Sequence, residues 1–167
     1  MCDEESKAPG AYEVYVEQLS RLRVSLSQIN AERKKAGSVQ QIETEHKVAS
    51  RSRDDRLQYR IKTEVKALDA DGELVAAFGF VHVASLERRE GAEVEPRWFR
   101  QEFQPEAVAM VLPYIREVLD SSARRLGLSR VSLPLMRPKD IRAAQRSGTP
   151  HTRDDVQHGE EPEEAAG

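Results

Sequence analysis

The chain has 167 residues, 38% hydrophobic and 33% charged, so it can build one core only if its apolar residues gather on a few faces. Its formal charge is −3, yet the six acids from Asp154 onward meet no Lys or Arg, which leaves 26 bases against 23 acids in residues 1–153. That small excess is too weak to suggest nucleic acid as an obvious partner, since strong phosphate binding shows itself as a dense basic patch or stripe, and the acidic end reads as a solvated, solubilising segment.

Residues 1–10 are acidic and then Pro-Gly, a composition expected to be disordered. From Ala11 to about Arg33 the apolar spacing shifts from helical (Val16, Leu19) to alternating (Leu22, Val24, Leu26), which predicts a short helix running into a first strand. A turn at 34–38 precedes Ile42, Thr44, His46 and Val48 at every second position, a half-buried second strand. Asp54 and Asp55 break the pattern. Leu57, Tyr59, Ile61, Thr63, Val65 and Ala67 then alternate with polar residues, predicting a third strand with one face in water.

Turn chemistry at Asp69, Ala70, Asp71 and Gly72 leads into Leu74 to Leu86, apolar on both faces, which should pair with the third strand as an antiparallel hairpin. A strand apolar on both sides needs cover on both sides, from a helix, a loop or a second subunit. Residues 87–104 read as a charged loop holding Trp98, Phe99 and Phe103, three of the nine aromatic residues. Pro105 suits a first helical turn, and Val108, Val111, Leu112, Ile115, Leu119 and Leu126 form a helical stripe closed by Gly127. Pro113 removes one donor inside that helix and predicts a kink or a restart. Residues 130–136 are extended in pattern around Pro134, a weak helical turn follows near Ile141, and 142–167 is expected to be a disordered acidic tail. The fold class is therefore α+β, with a single domain over 11–141.

The fold reading and the run Leu112-Pro113-Tyr114-Ile115-Arg116-Glu117, set after a fourth strand and before an apolar segment with a proline, together resemble the SecB export chaperones. The resemblance covers roughly residues 20–136. It implies four antiparallel strands in hairpin order against one long kinked helix, and a cytoplasmic homotetramer built as a dimer of dimers. It also implies binding of unfolded or slowly folding clients without nucleotide, with delivery to the SecA translocase or protection of an antitoxin. Two departures stand out. The polar face of the third strand carries Arg60, Lys62 and Lys66 with Glu64 as its only acid, where the family presents an acidic patch to SecA, and the family's second helix is reduced to a few residues near Ile141.

A client groove would be lined by Phe78, Phe80, Trp98, Phe99, Phe103, Leu133, Leu135 and Met136, because aromatic and Met side chains fit many sequences. Each has a plainer reading as core, most of all Phe78 and Phe80 on one strand face. Arg116 and Glu117 read as structural ion-pair or helix-end residues. The other readings are a thioesterase-like or small-ligand enzyme on a curled sheet, using His82 or Asp120 as acid or base, and a plain oligomerisation scaffold.

No Gly-rich phosphate loop, nucleophile elbow or His-Glu-x-x-His helix occurs, and no cofactor or metal is expected. Cys2, the single cysteine, permits neither an intrachain disulfide nor a Cys-based metal cluster. No apolar run approaches the roughly 18 residues of a membrane span. The first residues lack a signal core, so neither export nor a membrane anchor is expected.

Overall fold

The alternating segments form strands and the spaced stripe forms a helix. Their order is α1 (Ala11–Gln18), β1 (Leu19–Arg33), β2 (Gln41–Ser52), β3 (Arg56–Leu68), β4 (Leu74–Arg88), α2 (Arg97–Glu102) and α3 (Gln104–Arg125). The computed structural model describes residues 8–129, 131–133 and 136–141. The sheet is antiparallel throughout, in the order β1-β4-β3-β2. Hairpin order thus holds for β2, β3 and β4, whereas β1 lies beyond β4 instead of beside β2. The doubly apolar β4 takes an interior place between β1 and β3, as a strand that cannot tolerate water on either face requires.

The registers fix which side chains share a face. Leu57, Tyr59, Ile61, Thr63 and Val65 of β3 stand opposite Leu86, Ala84, His82, Phe80 and Phe78 of β4, and those stand opposite Leu22, Val24, Leu26, Ile29 and Ala31 of β1. This inner face receives α3, whose Val108, Val111, Leu112, Ile115 and Leu119 are buried with it in one cluster. Each such side chain contributes about 1.5–3 kcal/mol by leaving water. Helix α3 runs unbroken through Pro113, whose ring is exposed, so the second half does not restart there.

Its end is fixed from both sides. Gly127, at a φ of 69°, lets Leu128 N–H donate to the Ala123 carbonyl at 2.9 Å, a left-handed cap that side chains with a Cβ resist. Arg33, at the end of β1, donates from Nη1 to the Leu126 carbonyl at 2.9 Å, placing a cation at the negative end of the helix.

Two further differences from the sequence pattern bear on the site. Arg97–Glu102 is helical where a loop is expected, and Phe103 continues the turn by donating its N–H to the Phe99 carbonyl at 2.9 Å. Burial of Phe99 and Phe103 on one side, four residues apart, selects the helical spacing there. Beyond α3, Val131 and Leu133 are buried without regular structure, and a helical turn at 138–141 buries Ile141.

Candidate polypeptide-binding groove

Helix α1 offers no fully buried residue, and its hold on the body is aromatic. Tyr12 and Tyr15, one turn apart, meet Phe99 at 5.2 and 5.3 Å between ring centroids, and Tyr15 meets Trp98 edge-on at 5.9 Å. Phe99 stacks on Phe103 at 5.4 Å, and Phe103 reaches Tyr59 at 6.0 Å. The aromatics of 97–103 therefore pack on α1 and β3. The Tyr59 hydroxyl donates to the Arg100 carbonyl at 2.9 Å, and burial pushes its phenol well above the ordinary range, so it stays neutral.

Between α1, the start of β1 and α3 this packing leaves an apolar groove of about 300 Å³, lined by Val16, Leu19, Leu22, Leu86, Phe103 and Met110, with Ser20 as its one polar residue. Apolar surface continues past it. Val16 is 36% exposed, Met110 39% and Leu26 41%. Ile29, on the same face of β1, and Tyr114, one turn after Met110, are exposed in turn. Helix α3 covers β3 and β4 but leaves this outer part of β1 open to water.

The residues expected to line a client groove separate into two groups. Phe78, Phe80, Phe99, Phe103 and Leu133 are buried in the protomer, each 5% exposed or less, and belong to the core, Phe103 alone of them also lining the groove. The physical reason is the sheet register. It turns Phe78 and Phe80 toward α3, and the α2 turn folds Phe99 and Phe103 inward beneath α1. Trp98 and Met136 are half-buried on the edge of the core, and Leu135 lies outside the described residues. Of the motif residues, Leu112 is core, Arg116 half-buried, and Pro113, Tyr114 and Glu117 exposed.

Sequence reasoning missed Val16, Leu19, Leu22, Leu86 and Met110 as groove residues. The available signal was on α3, where Met110 and Tyr114 are large, largely apolar side chains outside the core stripe.

An ion pair anchors the linker that delivers these aromatics. Arg88, the last residue of β4, grips Glu95 with two hydrogen bonds of 2.7 and 2.9 Å, and the two side chains are 2% and 3% exposed. The Ser52 hydroxyl donates to Glu95 Oε1 at 2.8 Å, while the Arg88 guanidinium also donates to the Arg53 and Arg56 carbonyls at the β2–β3 turn. Burial pushes the Glu95 carboxyl up, but Arg88, its own backbone amide and Ser52 outweigh that and hold it below the ordinary value. Trp98 follows three residues later, so the clasp sets where α2 begins.

The polar groups that an acid–base reading would need are not brought together. His82 is 1% exposed beneath α3, with Nδ1 lacking a hydrogen-bond partner, and burial lowers its basicity. Asp120 is exposed and engaged by Arg124 one turn along α3. His46 Nδ1 lies 2.9 Å from the Thr63 hydroxyl, and burial lowers its pKa too. Among the described residues no group of three or more His, Cys, Asp or Glu could hold a metal, and no helix is long and apolar enough to cross a membrane.

Among solved structures, the chain is similar to a SecB-like chaperone of Mycobacterium tuberculosis, solved in complex with a ChAD peptide from the HigA1 antitoxin. The TM-score is 0.66 at 18% sequence identity, over 77% of this chain and 95% of that one. The likeness establishes a SecB-like fold. No protein-family model and no curated protein sequence matches the chain.

Proposed function

We propose that the chain is an ATP-independent holdase that keeps non-native polypeptides from aggregating. The observation that carries this reading is the apolar groove beneath Met110, open to water beside an uncovered apolar stretch of β1. A groove of about 300 Å³ takes a few apolar side chains of an extended segment, and Met110 adapts its shape to different ones. Beside it β1 is an edge strand, whose free backbone groups can pair with any sequence. Trp98 and Met136 extend the contact as rim residues, and Phe103 supplies the floor.

Leu26, Ile29 and Tyr114 are exposed, and sister chains cover part of this apolar surface in a homotetramer arranged as a dimer of dimers. Clients are unfolded or slowly folding chains. An antitoxin is the favoured class, supported by the similar chaperone solved with an antitoxin peptide. Export clients handed to SecA are the alternative, and the cytoplasm is the compartment either role requires.

The test is light scattering from a chemically unfolded client diluted into buffer without nucleotide. The holdase reading expects scattering to be suppressed at stoichiometric chain, and a native mass near four chains. A monodisperse monomer without effect on scattering would remove it.

A further inference from the structure

The outer face of the sheet, opposite α3, is divided by charge. In its half nearest the β2–β3 turn, consecutive rungs bring Arg21 and Arg56 beside Glu87, Arg23 and Arg51 beside Ser85 and Gln58, Arg60 beside Val83 and Ala49, and Lys62 beside Lys47 and Val81. Glu87 is the only acid on those rungs, and Arg21 and Arg23 share it at 3.8 and 3.2 Å. At the turn Asp55 is taken by Arg56. In the other half, Glu45 faces Glu64 and Glu43 faces Lys66, with Lys47 and Lys62 leaning across to Glu45 and Glu64. Arg51 and Arg60 are exposed and have no carboxylate within ion-pair distance among the described residues. Between the cations β4 places no charge: Val83 and Ser85 are half-buried there and Val81 is buried.

The chain itself contains a polyanion of matching size. Six carboxylates lie between Asp154 and Glu164 with no Lys or Arg among or after them. Twelve residues, and so thirteen Cα-to-Cα steps, separate the last described residue, Ile141, from Asp154, enough to span about 43 Å when extended. The sheet is four strands wide, about 15 Å between its outer strands, and the layer it shares with α3 is about 10 Å thick.

We propose that the segment Asp154–Glu164 docks along β4 on the basic half of the outer face, held by Arg51, Arg60 and their neighbours. Tethering supplies a local concentration in the millimolar range, so weak, salt-sensitive ion pairs are sufficient. The docked segment shields the basic half from other polyanions and leaves the apolar groove, on the opposite side of the sheet, open. This inference does not rest on the holdase reading and survives if that reading fails.

The test uses a fluorescein-labelled synthetic peptide of residues 153–164 and fluorescence anisotropy, with three forms of the full chain. These are the natural sequence; a neutral-tail form carrying Asp154→Asn, Asp155→Asn, Glu160→Gln, Glu161→Gln, Glu163→Gln and Glu164→Gln; and that form with Arg51→Ser and Arg60→Ser added. The neutral-tail form should bind the peptide about tenfold tighter than the natural chain, whose own segment competes. Adding the two arginine substitutions should weaken binding about fivefold or more, while Lys66→Ser on the acidic half changes it little. Unfolding midpoints of all forms confirm that they fold, and the salt dependence of peptide binding gives a readout that needs no variant. Equal affinity for the natural and neutral-tail chains, indifference to Arg51 and Arg60, or indifference to salt would each overturn the proposal. So would a short duplex DNA that binds the natural chain as tightly as the neutral-tail form, since the face would then be open to any polyanion.

Discussion

Glu95→Gln is the sharpest perturbation of the framework, because it keeps the shape of the side chain and removes only its charge. Arg88 would stay 2% exposed with no carboxylate against it, and the Ser52 hydroxyl would lose a charged acceptor. Breaking one side of a buried ion pair typically destabilises by about 3–5 kcal/mol. For a domain of this size each kcal/mol lowers the midpoint by about 2–4 °C, so a drop of about 6–20 °C is expected in thermal unfolding followed by circular dichroism. Arg88→Met with Glu95→Leu, which replaces the pair by apolar volume, should recover most of that loss.

The pH dependence has a definite sign. The folded Glu95 carboxyl sits below its ordinary value of 4.5, so the folded state binds the proton less readily than the unfolded chain. Its stabilisation is complete above that value and disappears as pH falls through the depressed folded value, and Glu95→Gln should lack this limb. A midpoint shift under about 3 °C, or a double variant no more stable than the single one, would refute the description of the pair as a dry, mutually dependent clasp.

His82→Leu should flatten the loss of stability below pH 6.5. Burial depresses the folded pKa of His82, so its neutral form favours folding above that value and the advantage fades as pH falls. Urea unfolding at pH 7.5 and 5.5 measures it, and equal pH slopes with and without His82 would contradict it. Phe80→Ala should cost about 3–5 kcal/mol in the same assay, since Phe80 is 1% exposed under α3. Trp98→Ala, at the half-buried edge, should cost less than Phe80→Ala, and the reverse order would mean that the inner face is wrongly assigned.

Where local pattern decides structure, the sequence was informative. The alternation from Leu57 to Ala67 marked β3 and its buried face, the apolar run from Leu74 marked an interior strand, and the stripe from Val108 to Leu119 marked the face of α3 that meets the sheet. What stayed hidden depends on which distant segments meet. Nothing in Leu22, Val24 or Leu26 says that β1 docks beyond β4, and that placement alone leaves Leu26 and Ile29 in water.

The same holds for the groove. Phe78 and Phe80 have the side chains of client contacts but the register of core residues, whereas Val16, Leu19 and Met110 become a site only when α1, β1 and α3 converge. Arg88 and Glu95, seven residues apart across a charged loop, look like two solvated charges until the β2–β3 turn closes over them. The short α2 was lost for a related reason, because Phe99 and Phe103 show a helical spacing too brief to stand out.

The claim on which the account depends is that non-native chains lie against the groove at Met110. A photo-crosslinking amino acid placed at Met110, and in a second form at Lys47 on the outer sheet face, measures it directly in the presence of an unfolded, radiolabelled client. The account predicts abundant adducts from position 110 and few from 47. Equal yields from the two positions, or none from 110 while the client is demonstrably bound, would contradict it.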